Sequence, residues 1–84
     1  MSRKTPDDAA YRAVIDRIAA ARFEQGLKQS EFGALIGLEQ DAVSRIETYK
    51  RQLALMEFKR ACDVLGLDAA ELLRGAPARS TPEN

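Results

Sequence analysis

Gln29-Ser30-Glu31-Phe32-Gly33-Ala34-Leu35-Ile36-Gly37, running into Leu38-Glu39-Gln40-Asp41-Ala42-Val43-Ser44-Arg45-Ile46-Glu47, decides how this chain folds. Phe32, Leu35 and Ile36 recur at i, i+3, i+4 and mark one apolar side of a helix. Val43 and Ile46 repeat the device further on, while Gln40, Asp41, Ser44 and Arg45 stay polar. Gly37 falls between the halves, where a tight turn calls for a positive φ that glycine adopts without steric cost. The spacing predicts two short helices, over 29–36 and about 39–48, with Lys28 or Gln29 capping the first.

Working outward, Thr5-Pro6-Asp7-Asp8 joins a capping hydroxyl, a proline suited to a first helical position and two acids that the helix dipole favours. A first helix should start there. Tyr11, Val14, Ile15, Ile18 and Ala19 carry its apolar pattern on to Phe23, and Gly26 supplies a left-handed stop near Gln25. On the other side, past the polar Tyr49-Lys50-Arg51-Gln52, the residues Leu55, Phe58, Cys62 and Leu65 mark a fourth helix that ends at Gly66. Asp68 can cap a fifth, with Leu72 and Leu73 on it and Gly75 closing it. A flexible N-terminus over 1–6 and a disordered tail over 76–84, with two prolines and no apolar face, are expected to flank one domain over 7–75.

The 84 residues carry 13 basic and 13 acidic side chains, so overall charge does not announce a nucleic-acid partner; any such affinity must come from placement. Without histidine and with Cys62 alone, the chain assembles neither a His-Cys metal site nor a Cys-His nucleophile, and no metal or cofactor is expected. No glycine-rich phosphate loop supports an enzyme either. No apolar run approaches the roughly 20 residues that span a bilayer. Met1 to Pro6 lacks the hydrophobic stretch of a secretory signal, and a soluble, cytoplasmic protein is expected.

Arg22, Gly26-Leu27, Gln29, Gly33, Gly37, Val43-Ser44-Arg45-Ile46-Glu47 and Leu65-Gly66 form a spaced pattern. On it, from about Ile18 to Gly75, the chain resembles the Xre/Cro-repressor-like helix-turn-helix family of bacteria and phages. The resemblance implies an all-α, five-helix, lambda-repressor-like DNA-binding domain with the helix-turn-helix at helices 2 and 3. Two departures stand out. The family loop reads Glu-x-Gly-Lys with a proline ahead of helix 4, whereas this chain has Tyr49 in the glycine's place and Leu53 in the proline's. Cys62 occupies a position where the family has a buried alanine, and is read as core.

The resemblance also assigns roles. Gln40 opens the recognition helix and would read a base, with Asp41, Ser44 and Arg45 beside it; a glutamine can bond adenine N6 and N7, an arginine guanine O6 and N7. The alternative for these four is the solvated face of an amphipathic helix, and Arg45 can equally reach a phosphate. Gln29, Lys28, Lys50 and Arg51 are candidates for phosphate contacts. Arg22 and Glu47 are expected to form a structural ion pair beneath the recognition helix. Leu53, Met56, Leu67, Leu72 and Leu73 exceed what so small a core absorbs, so Leu53, Met56, Leu72 and Leu73 are candidates for a homodimer interface; the alternative is that helix 5 covers the domain's own core. The function expected is a sequence-specific DNA-binding transcriptional regulator, a repressor on a palindromic operator of double-stranded DNA, read through the major groove. The competing reading is a protein-interaction adaptor or antitoxin on the same fold, favoured by the zero net charge and the acidic Glu39 and Asp41.

Overall fold

The computed structural model describes residues 8–75. Five helices run through them: α1 (Ala9–Glu24), α2 (Gln29–Ile36), α3 (Gln40–Glu47), α4 (Leu55–Leu65) and α5 (Ala69–Gly75), with no strand among the described residues. The helix start read at Thr5-Pro6-Asp7 and the segments 1–6 and 76–84 lie outside the described residues. Asp8 precedes α1 and makes no side-chain cap to it.

Carboxylates open three of the other helices. Glu31 accepts from the Lys28 N–H at 2.8 Å, and Glu57 accepts from the Ala54 N–H at 2.9 Å, in each case three residues into the helix that follows. Asp68 Oδ1 accepts from the N–H groups of Ala70 and Glu71 at 3.0 and 3.3 Å, satisfying donors that the first turn of α5 leaves open.

The core gathers Val14, Ile18 and Ala21 of α1, Phe32 and Ile36 of α2, Val43 of α3, Ala61, Cys62 and Leu65 of α4, and Leu72 of α5. Ile15 and Ile46 are buried as well. Burial drives the Cys62 thiol pKa up, keeping it a neutral core group. Four expectations are corrected here. Leu35, Phe23 and Leu55 stand exposed, although periodicity put them on inward stripes. Leu72 is only 2% exposed: it fills the domain's own core and is not available to a partner. Leu53 and Leu67 are partly buried against that core.

Gly33 explains Leu35. A Cβ at Gly33 would lie 2.5 Å from the Leu38 carbonyl oxygen and 3.2 Å from Val43 Cγ2, so α2 packs its glycine directly on the turn to α3. The inward face of α2 therefore centres on Phe32, Gly33 and Ile36, and Leu35, two residues beyond Gly33 and some 200° around the helix, turns to solvent. Gly37 then reverses the chain at φ +81°. With the backbones in that contact, α3 lies across the body of the domain with its polar face outward.

Candidate functional site

Four side chains link the interior to the exposed start of α3. Arg22, in the last turn of α1, donates from Nε to Glu47 Oε2 at 2.7 Å and from Nη2 to Oε1 at 3.1 Å. Its Nη1 donates to the Leu27 carbonyl at 2.6 Å. The two side chains are 14% and 12% exposed, so the pair is largely removed from water. Glu47 Oε1 also accepts from Gln29 Nε2 at 2.9 Å, and Gln29 Oε1 accepts from Gln40 Nε2 at 2.9 Å.

The polarity of this chain follows from its root. A carboxylate only accepts, so Gln29 must turn its amino group toward Glu47 and its carbonyl oxygen toward Gln40. Gln40 must then spend one amino hydrogen inward. Its Oε1 and second amino hydrogen remain for the outside, above an open concavity lined by Lys28, Gln29, Ser30 and Gln40.

Along the same face, Asp41 and Arg45 approach to 3.8 Å one helical turn apart, both well exposed. A pair of this kind contributes at most a few tenths of a kcal/mol and is readily exchanged for other partners. Ser44 is half-buried, and its carbonyl accepts from the Thr48 hydroxyl at 2.9 Å. Lys28 and Lys50 are exposed at opposite ends of the motif. Arg51, a candidate for a phosphate contact, is bonded within the domain: Nη1 and Nη2 donate to Glu57 Oε1 and Oε2 at 2.9 and 3.1 Å, tying the loop to the first turn of α4. That bidentate bond raises the pKa of Arg51 and lowers that of Glu57. Among the described residues no group of three or more His, Cys, Asp or Glu side chains could hold a metal ion. No helix among them is long and apolar enough to cross a membrane.

Residues 13–74 match the family model of the helix-turn-helix domain. The chain belongs to the helix-turn-helix family. The crystal structure of a hypothetical transcription factor, NHTF, from Neisseria is similar to this helix-turn-helix protein with a TM-score of 0.68 and 28% sequence identity, over 87% of this chain and 83% of that one. No curated protein matches the sequence.

Other residues of this helix-turn-helix protein enter the site without a warning in the periodicity. Tyr49 takes the glycine-like place after α3 at φ +64°; its hydroxyl donates to Asp16, and the Arg12 guanidinium stacks 4.2 Å from its ring centroid. The Leu53 N–H donates to the Tyr11 hydroxyl at 2.8 Å, a bond that a proline in that position has no hydrogen to make. Burial, the leading influence on Tyr11, raises its pKa and keeps the phenol neutral. The sequence pattern does single out Tyr49 and Leu53 as departures, but their partners on α1 come into view only in the folded chain.

Proposed function

We propose that this helix-turn-helix protein is a sequence-specific DNA-binding transcription regulator of the Xre/Cro-like kind, a repressor that occupies a palindromic operator. The oriented Gln40 amide is the observation that carries this reading. With one amino hydrogen held by Gln29, its outward oxygen and remaining N–H match adenine N6 and N7 in the major groove. Little side-chain freedom is left to lose on binding, which favours affinity and base discrimination together. At eight residues α3 is about 12 Å long, comparable with the width of that groove. Asp41 then accepts from cytosine N4 and Arg45 donates to guanine once their weak mutual pair opens, with Ser44 one turn on. Lys28, Lys50 and the remaining N–H of Gln29 meet phosphates, while Arg51 braces the loop. The likeness to a hypothetical transcription factor supports the same reading. A regulator of this kind needs no cofactor and no catalytic step, and would act in the cytoplasm.

A palindrome calls for two copies. The surface offered to a second copy is the apolar groove between α1, α4 and α5, where Leu53 forms part of the floor and Leu55 and Leu73 stand at the rim, with Met56 exposed on the next position of α4. Selection of binding sites from random duplex DNA tests both points. A consensus with twofold symmetry is expected; a single unrepeated half-site would overturn the dimer, and no enrichment would overturn DNA reading. The exposed Glu39 and Asp41 favour the second reading, an adaptor or antitoxin whose partner is a protein. Titration with random duplex at low salt separates the two, because phosphate binding falls steeply with added salt and an adaptor shows almost none.

A further inference from the structure

We propose that Tyr49 is a positioning residue for DNA binding: through Asp16 and Arg12 it latches the loop after α3 onto α1 and so fixes where Lys50 meets a phosphate. The proposal rests on the DNA reading above and deepens it. A side chain at φ +64° is disfavoured by the clash of its Cβ with the backbone, and glycine would hold the same turn without that conflict. Something must hold a tyrosine there, and both holding groups come from α1. The phenol donates to the Asp16 carboxylate, and the ring carries the Arg12 guanidinium on its face.

The left-handed turn has a specific product. It brings the N–H groups of both Lys50 and Arg51 onto the Arg45 carbonyl, at 2.7 and 3.1 Å, closing the loop over the end of α3. The exposed Lys50 is thereby set in a fixed relation to the recognition helix. Arg51 is half-buried and bonded to Glu57, which leaves Lys50 as the exposed cation of this loop. The Tyr49 hydroxyl bond lies at the surface, where it adds little to global stability, so its loss should register in the placement of Lys50 before it registers in melting.

A double-mutant cycle of Tyr49→Phe with Lys50→Ala tests this. Tyr49→Phe is expected to melt within about 2 °C of the wild type and to bind every duplex about 3- to 10-fold more weakly, the size of one surface hydrogen bond. In the Lys50→Ala background the same change should have almost no further effect, because it acts through Lys50. Asp16→Asn, which still offers an acceptor oxygen, should retain wild-type binding, whereas Asp16→Ala should behave as Tyr49→Phe. Amide hydrogen exchange in the free protein supplies the independent arm: exchange at Lys50 and Arg51 should accelerate on the order of tenfold in Tyr49→Phe, with the α3 amides unchanged. Losses that simply multiply in the double variant, or unchanged exchange at Lys50 and Arg51, overturn the latch and leave DNA binding standing. A wild type that binds no duplex overturns the DNA reading and the positioning role with it, while the exchange arm still reports whether the latch exists.

Discussion

At its N-terminal end α3 is set by backbone contact and burial: Gly33 lies on the Leu38 carbonyl, Gly37 turns at positive φ, and the Gln29 and Gln40 amides hang from an ion pair that water barely reaches. At its C-terminal end the chain is held by longer, more accessible side chains, Tyr49 on Asp16 and Arg12, and Arg51 on Glu57. The first end is built on glycines and buried polar bonds, and the second on Tyr49 at positive φ and on the Leu53 N–H that bonds Tyr11. The difference teaches where tolerance lies. A buried, backbone-dictated contact admits few alternatives, whereas an exposed loop can reach the same turn through new side-chain partners.

Glu47→Ala should expose that asymmetry most strongly. It strands the largely buried Arg22 and unhooks Gln29, and a loss of about 3 to 5 kcal/mol is expected. Thermal melting by circular dichroism should fall by on the order of 15 °C; a variant melting within a degree or two of wild type would show that the pair does not anchor α3. Gly33→Ala comes next. Its added Cβ meets a backbone oxygen that cannot swing aside, so roughly 1 to 3 kcal/mol of overpacking is expected in urea unfolding. An unchanged midpoint would mean that the turn yields more easily than its geometry implies.

Gln40→Ala should leave melting almost unchanged and relax preference at one base pair, by about 1 to 3 kcal/mol in competition binding among operator variants. Uniform weakening across all base pairs would instead place Gln40 on the phosphates. The smallest effect belongs to the C-terminal end. Because the Arg51 hydrogen bond holds the folded pKa of Glu57 below its ordinary 4.5, the unfolded chain takes up the proton first as pH falls. The stabilisation is thus complete above about pH 5 and fades as the pH drops through the lowered value. Wild type should melt slightly above Glu57→Gln near pH 7, and the gap should close in acid; a gap that widened in acid would reverse the assignment.

Much of this was legible along the chain. The pattern from Gln29 to Glu47 marks α2, the Gly37 turn and α3, with α3 one residue shorter at each end than its periodicity suggests. Asp68 and Gly66 delimit the start of α5 and the end of α4 because caps and stops are local. Leu35, Phe23, Leu55 and Leu72 were not legible in the same way. Each carries an apolar side chain at helical spacing, yet the first three face water and the last is enclosed. Periodicity groups residues on a face to within about one position, or 100° of arc, and the neighbouring helix decides how that face is turned.

By itself the sequence determined the five helices, the glycine turn and the polar character of the face on α3, since propensity, capping and backbone conformation act over a few residues. The tertiary structure alone decided that Arg51 holds Glu57, that Tyr49 reaches back 33 residues to Asp16, and that Leu72 closes the core. It also decided the direction of the Gln40 amide, which depends on a carboxylate seven residues on and an arginine of another helix. Long side chains choose partners by distance in space, and that distance exists only once the helices have packed.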